Sequence, residues 1–573
     1  MKSEKFLRFA RFVVVALLLL GMTAGKVFAT SPNNIYGIHL AQPQPQDLQG
    51  AADLVNSNGG KWGYVTLVIQ ENDRNREKWQ GIFDLMRELH LIPIIRLATQ
   101  PEGENWRRPE EKDVKNWLDF LDSLNWVVKD RYVILFNEPN HSSEWGGKVD
   151  EKSYAQVSYE FTKALKEKNP DFFVMLAGFD ASAPSWMPGM EDEETFVKGL
   201  INQTPTIFDF VDGWASHSYP NPNFSGSPWD YGRGTVRTYE WELRLLGRLG
   251  VSKELPVFIT ETGWKRTIQN SEFIIQNYFK TAYEDVWLPD SRVRAVTPFV
   301  LDYQTDPFLE FSWKLPTDTT LGRPHESGNF YQQYYTVQSL PKVKGEPEQR
   351  EKGSISFNLP KELVAQSKYD FKVSLKNSGQ AIWDKDENYE LRIKNEELKN
   401  TNFLITDLKN IKPFEEKTVD FSLKTNEEKE KEEIKFVLTK DNNTLFESKP
   451  WQFKVLPLPD LQIKVNFWPF GKGKGDNFEV QLFDVDEKLV FKKKGVKISD
   501  GVGLIKDIQN VAIDEPYRVV ILKPGYLPRQ TYIIFKAKNN LAQFKSMLPF
   551  DFNVDGKFDL KDIKHLFQKL LGR

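Results

Sequence analysis

Between residues 30 and 340 the chain alternates eight short apolar, β-branched runs with stretches of helical periodicity. The runs are Tyr36–Ala41, Tyr64–Ile69, Ile92–Ala98, Tyr132–Phe136, Phe173–Ala177, Phe210–Ser216, Pro256–Thr260 and Ala295–Leu301. Amphipathic stretches such as Asp113–Val128, Glu151–Lys168, Val236–Gly250 and Ser271–Val286 fall between them. Strands buried on both faces and joined by crossover helices read this way, so a parallel sheet is predicted. Eight units in about 300 residues predict a TIM (β/α)8 barrel. An open doubly wound sheet is the competitor, but no glycine-rich phosphate loop follows the first strand.

A chain of 573 residues exceeds one barrel. Pro341–Lys352 is charged and proline-containing and reads as a linker. Beyond it helical periods vanish. Tyr369–Lys376, Tyr389–Ile393, Lys417–Leu423, Ile434–Thr439 and Trp451–Val455 predict an all-β sandwich over 353–456. The charge run Glu427–Glu433 reads as a solvated hairpin end. Pro457-Leu458-Pro459 opens a second predicted β-sandwich, 457–548, with strands at Phe478–Asp484, Val496–Ile498, Tyr517–Leu522 and Tyr532–Ala537. A short unit, 549–573, closes the chain. Asn377-Ser378-Gly379 before Trp383 resembles an immunoglobulin-like accessory domain. Tyr517–Leu522 leading into Lys523-Pro524-Gly525-Tyr526 is similar to prealbumin-like folds.

The N-terminus predicts export. Lys2, Lys5, Arg8 and Arg11 precede the apolar run Phe12–Met22, and Val27-Phe28-Ala29 is a small-residue cleavage site, giving a signal peptide over 1–29. That run is about half the roughly 20 residues needed to span a bilayer. No transmembrane span is expected after its removal, and the product is expected to be secreted or cell-surface. A net charge of −3 and a pI near 6.2 supply no electrostatic reason for a nucleic-acid partner. The absence of cysteine excludes disulfides, thiolate metal sites and a cysteine nucleophile.

In such a barrel chemistry sits where strands end at the C-terminal face. Strand four runs into Phe136-Asn137-Glu138-Pro139-Asn140, and strand seven into Ile259-Thr260-Glu261-Thr262-Gly263-Trp264. Each sets a carboxylate directly after an apolar run, where a charge is costly unless paired or used. One such glutamate is as readily a salt-bridged strand cap; two on strands four and seven point to a site. Asn137-Glu138-Pro139, Glu261-Thr262-Gly263-Trp264 and His217-Ser218-Tyr219 together resemble the clan A superfamily of retaining glycoside hydrolases, over roughly residues 33–340. The first motif leans towards its family 39-like branch and the second towards its β-1,3-glucanase branches.

The resemblance implies Glu138 as acid/base and Glu261 as nucleophile, acting on a polysaccharide or oligosaccharide with no catalytic cofactor. Two carboxyls of this kind stand about 5–5.5 Å apart in a retaining site, with pKa values pushed in opposite directions. Asn137 suits the sugar 2-hydroxyl, and Tyr219 can donate to Glu261. His217 suits substrate hydroxyls or Glu138, or else simple packing. Arg96, closing strand three, is placed to pair with the nucleophile and lower its pKa, although the clan's arginine usually sits on strand two. Trp264 and Trp313 are candidates for a sugar-stacking platform. His39 and Asp180, at the ends of strands one and five, are candidates for substrate hydroxyls. The rival reading keeps the barrel as a non-catalytic carbohydrate-binding or cell-surface protein, and a transglycosylase would use the same residues.

The tail carries a separate signal. Asp551, Asn553, Asp555, Asp559 and Asp562 occupy positions 1, 3, 5, 9 and 12 of a loop with Gly556 at position 6 and the carbonyl of Lys557 at 7. That is calcium-loop spacing, and Ile563–Leu571 after it is amphipathic. Asp at position 12 is similar to the dockerin repeat, which implies structural Ca2+ and a cohesin-like or cell-surface partner.

Overall fold

The computed structural model describes residues 32–316, 329–395, 403–405 and 408–571; the expected signal peptide lies outside the described residues. Among the described residues no helix is long and apolar enough to cross a membrane. The chain divides into two units, Met1–Arg350 and Glu351–Arg573.

The first unit is the predicted barrel. Its strands and main helices run β1 (Gly37–Leu40), α1 (Pro45–Val55), β2 (Gly63–Gln70), α2 (Arg76–Glu88), β3 (Leu91–Ala98), α3 (Val114–Ser123), β4 (Arg131–Leu135), α4 (Glu151–Lys168), β5 (Phe172–Leu176), α5 (Glu193–Gln203), β6 (Trp214–His217), α6 (Thr238–Arg248), β7 (Val257–Glu261), α7 (Glu272–Thr281), β8 (Val293–Val296) and α8 (Gln332–Ser339). Strands β1 to β5 form one parallel sheet and β6 to β8 another. Parallel bridges Met175–Gly213 and Tyr36–Val296 close the ring. Helix α4 has the predicted limits because both ends are capped chemically. The Asp150 carboxylate accepts from the Ser153 amide, and Lys166 and Lys168 sit at the negative end of the helix dipole. Strand β6 starts four residues later than predicted, since Ile207–Asp209 forms a 3-10 turn ahead of it.

The expected linker is largely a strap on this unit. The Gly345 amide donates to the Lys61 carbonyl, the Lys129 amide to the Glu348 carbonyl and the Gln349 side chain to the Val127 carbonyl. Lys342 donates to the carbonyls of Val337, Gln338 and Leu340 at the end of α8. Burial there lowers its pKa to about 8. Polar, charged composition signalled a free connection, whereas these groups are satisfied by barrel carbonyls.

One buried pair in this unit has a measurable consequence. Glu193 (α5) and Glu242 (α6) are 0% and 1% exposed, and neither makes an ion pair. Trp214 donates to Glu242 Oε2 at 2.9 Å, while both oxygens of Glu193 and the other of Glu242 lack a donor. A single proton held between them satisfies one oxygen of each and leaves the second Glu193 oxygen without a donor. Burial, then the charge of Glu242, drives the Glu193 pKa far up. A carboxyl whose pKa is raised on folding binds its proton more tightly in the native state. The stability it contributes is therefore full at acid pH and is lost as pH climbs above the ordinary carboxylate range. Glu193→Gln is expected to flatten the fall in unfolding free energy between about pH 5 and pH 8, as read by urea titration. Parallel wild-type and variant profiles would contradict this.

The second unit begins with two sheets around a shared core that includes Trp383, Phe421 and Phe436. One sheet holds Gly353–Ser356, Lys368–Asn377 and Glu416–Lys424; the other is built on Lys429–Lys440 and Trp451–Leu456. Asn377 donates to the carbonyls of Ala381 and Ile411, fixing the turn before the buried Trp383. Most of the charge run 427–433 is not a hairpin end: Lys429 onward lies in a long strand, where pairing with Trp451–Val455 satisfies the backbone.

Residues 461–551 differ from the predicted sandwich. They form a single eight-stranded sheet that includes Gly475–Phe483, Pro516–Lys523 and Gly525–Ile534 and encloses its own core around Phe478, Val519 and Phe535. Its last strand, Pro549–Asp551, pairs with Gly525–Ile534, so the sheet runs past the expected boundary at 548 and into the first residue of the calcium-type loop. In that loop Gly556 has φ +83. The Asp551 carboxylate accepts from the amides of Asp555 and Gly556, and Asp562 from those of Phe552, Asn553 and Asp559. Asn553 and Asp555 also hydrogen-bond each other, Asp559 caps helix Leu560–Leu570, and the amide of Lys557 donates to Asp555. An all-oxygen donor set on a loop so closed fits a hard cation such as Ca2+.

Candidate active site

A cleft of the barrel unit opens over the strand ends and encloses about 560 Å3, a volume typical of a small-ligand site. Arg96 (β3), Asn137 and Glu138 (after β4), His217 (end of β6), Tyr219 and Glu261 (end of β7) all line it. Local backbone aims them. Phe136 and Glu138 adopt φ +72 and +28, conformations costly for residues with a Cβ. Strands β6 and β7 are in register at His217 and Glu261, past a bulge at Ser216. Gly178, after β5, lets the His217 ring approach: a Cβ there would lie 2.2 Å from its Cδ2.

The two carboxylates sit in different surroundings. Glu261 is recessed, with 11% of its side chain exposed against 23% for Glu138. Arg96 Nη1 donates to Glu261 Oε1 and to Asn137 Oδ1, each at 2.5 Å. The Tyr219 hydroxyl donates to Glu261 Oε2 at 3.0 Å, and burial beside that charge keeps the phenol protonated. Burial pushes the Glu261 pKa up, but His217, Arg96 and the Tyr219 hydrogen bond outweigh it and hold the carboxyl at about 2. His217 Nδ1 lies 2.7 Å from Glu138 Oε1 and 3.9 Å from Glu261 Oε2. Burial disfavours its imidazolium, yet the two carboxylates raise its pKa overall.

One atom each of Glu138, His217 and Glu261 lie within 4.8 Å of one another, the tightest arrangement of possible metal ligands among the described residues. A divalent cation there is opposed by Arg96 on one oxygen of Glu261 and by a donated hydrogen bond on the other. The cluster is better suited to proton transfer and carboxylate nucleophile chemistry.

Two expected contacts are absent from the cleft. Trp264 and Trp313 are 2% and 1% exposed, and each packs against Phe279 of α7 with ring centroids 4.8 Å apart. Gly263, at φ +143, turns the chain after β7, and Trp264 is packed where its Nε1 donates to the Gly226 carbonyl. These rings serve packing, and the aromatic lining of the cleft includes Trp106, Phe224, Phe308 and Phe311 instead. His39 is likewise buried beneath Glu261, 3.9 Å from it, with neither ring nitrogen hydrogen-bonded. Burial lowers its pKa to about 3, so it stands as a neutral ring under the carboxylate. Asp180 does line the cleft, but it is held by His141 at 2.9 Å and by the Ser182 amide.

Sequence reasoning missed Glu144, a fourth carboxyl in the cleft, on the turn Ser142–Glu144. Burial, then the charge of Glu138, raises its pKa to about 7, and it hydrogen-bonds Asn137. With Arg96 on Oδ1 of Asn137, that contact fixes which way the amide faces. The only signal in the sequence was a glutamate six residues after Glu138.

No family model matches the chain, and no curated protein does. Among solved structures it is similar to a GH39 β-xylosidase from Caulobacter crescentus, at 12% identity and a TM-score of 0.38, over 64% of this chain and 84% of that one. It is also similar to a β-mannanase from Thermomonospora fusca in complex with mannohexaose, at 12% identity and a TM-score of 0.31, over 49% and 82%. A fungal β-1,4-galactanase matches at 13% identity and a TM-score of 0.36, over 54% and 100%. Likeness this distant leaves the chemistry to be argued from the side chains themselves.

Proposed function

We propose that the barrel is a retaining glycosidase that hydrolyses O-glycosidic bonds in a β-linked polysaccharide by double displacement. The observation that carries this reading is the pairing of two close carboxyls, with oxygens within 4.8 Å, of which Glu261 is recessed and held ionised while Glu138 is more exposed beside His217. Retaining chemistry needs close carboxyls of this kind, whereas inversion needs a gap wide enough for water.

Glu261, ionised at any ordinary pH, attacks the anomeric carbon and forms a bond to it as the glycosidic C–O bond breaks. The departing oxygen takes its proton from Glu138. Because Oε1 of Glu138 is engaged by His217, Oε2 is the oxygen left for the leaving group. His217 holds a proton against both carboxylates and so couples the resting state of one to the other. In the second half, water gives a proton to Glu138 and its oxygen bonds to the anomeric carbon, releasing Glu261. Asn137, oriented by Arg96 and Glu144, is suited to the 2-hydroxyl, a contact that strengthens as positive charge develops. The test is a panel of β-glucan, β-mannan, β-xylan and β-galactan with the full chain. Release of reducing sugar from one of them supports the reading. Binding without cleavage across the panel would favour the non-catalytic alternative.

The same proposal extends to location and to the tail. The chain is read as exported after cleavage near Ala29, and the loop Asp551–Asp562 as a Ca2+ site. Asp551, Asn553, Asp555, Asp559, Asp562 and the Lys557 carbonyl would supply its oxygens, and the ion would brace the loop against the following helix. Ile563, Phe567 and Leu570 are exposed on that helix, a surface suited to a cohesin-like or cell-surface partner. Ca2+ is expected to raise the melting temperature of the second unit's transition, and Asp551→Ala with Asp562→Ala to abolish the shift. Identical melting in Ca2+ and EDTA would remove the assignment.

A further inference from the structure

Large aromatic side chains are normally buried, and in the barrel unit most of the tryptophans are. Among its described residues only Trp186 and Trp229 are exposed, by 80% and 58%, and Tyr231 beside the second is 76% exposed. All three lie on two loops, the one after β5 and the one after β6, at the face that carries the cleft. Single exposed aromatics need no explanation, but two tryptophans and a tyrosine on adjoining loops form a surface that does.

The two loops are tied into one wall. Arg233 donates to the Ala181 carbonyl at 2.5 Å and pairs with Asp192 at 2.5 Å. The Asp192 amide donates to Ser185, next to Trp186, and Asn221 donates to Ser182 at 2.8 Å. The Arg237 guanidinium lies over the Tyr231 ring, 4.6 Å from its centroid. The same wall reaches the cleft, since Ala181, Ser182, Asn221 and Gly234 line it. Arg233 and Asp192 neutralise each other, and the exposed carboxylate of Asp230 between Trp229 and Tyr231, which accepts from the Ser227 amide, disfavours an acidic glycan over a neutral one.

We propose that Trp186, Trp229 and Tyr231 form an aromatic rim that grips a neutral β-linked glycan where it leaves the cleft. The proposal rests on the glycosidase reading and adds that the substrate is a polymer held beyond the cleaved bond. The apolar C–H faces of successive pyranose rings match the exposed ring faces, while their hydroxyls stay in water. Continuity of the wall with the cleft selects the substrate chain itself as occupant. A short glycoside confined to the cleft does not reach the rim.

The test compares full-length wild type with the variant Trp186→Ala, Trp229→Ala, Tyr231→Ala. Affinity electrophoresis in gels containing each neutral polysaccharide of the panel reads binding, and initial rates on the polymer and on an aryl glycoside of the same sugar read catalysis. Retardation by one polysaccharide is expected, and the variant should lose it. Its KM for the polymer should rise about tenfold, with kcat and aryl glycoside turnover within about twofold of wild type. Replacement of all three by phenylalanine should restore most of the retardation, which a fold defect would not permit. Equal retardation of wild type and variant overturns the rim, as does an equal loss on polymer and aryl glycoside, or no retardation of wild type by any polysaccharide. If retardation is lost as expected but wild type cleaves nothing, the rim stands and the hydrolytic reading falls.

Discussion

Glu261→Ala is expected to lower kcat/KM on the polysaccharide by about 10^4-fold or more, the scale of removing a covalent nucleophile. The fold should survive, because the loss leaves Arg96 and Tyr219 at a cleft that water can enter. Wild-type glutamate is kept ionised by His217, Arg96 and the Tyr219 hydrogen bond despite its burial. No acid limb from this group is therefore expected above about pH 3, given its pKa of about 2. Arg96 also holds Asn137, so the same guanidinium bears on both the charge of Glu261 and the position of Asn137. Added azide should enter the space left by the carboxylate and return the α-glycosyl azide from an activated β-glycoside. Activity that persists in Glu261→Ala without azide would sink the assignment.

Glu138→Ala is expected to behave differently with different leaving groups. On the polysaccharide the rate should fall about 10^2- to 10^4-fold, the range of general acid catalysis. On an aryl glycoside whose leaving group needs no proton, the first step should be nearly spared and azide should yield the β-glycosyl azide. A uniform loss across leaving groups would instead mark Glu138 as a structural cap.

The barrel was legible because its strands are buried on both sides and read as unbroken apolar runs. The two glutamates were legible for the converse reason: a carboxylate directly after such a run is conspicuous. What escaped depends on tertiary paths. Trp264 and Trp313 follow the right strands, yet the turn at Gly263 and the bulk of Phe279 draw them into packing. Trp106 lies on a hairpin with strands of two residues each, too short to leave a period. Arg96 closes strand three, and only the folded structure shows that its side chain spans Asn137 and Glu261. The residues after 460 were read as a sandwich because alternation reports one apolar face, and a single curled sheet has the same signature as two flat ones.

In the proposed function Glu261 and Glu138 cut a β-glycosidic bond by two displacements. The most direct measurement is the anomeric configuration of the first product, followed by proton NMR before mutarotation. A β-anomeric product appearing first is the predicted result; the α-anomer first would contradict double displacement and with it the role given to Glu261.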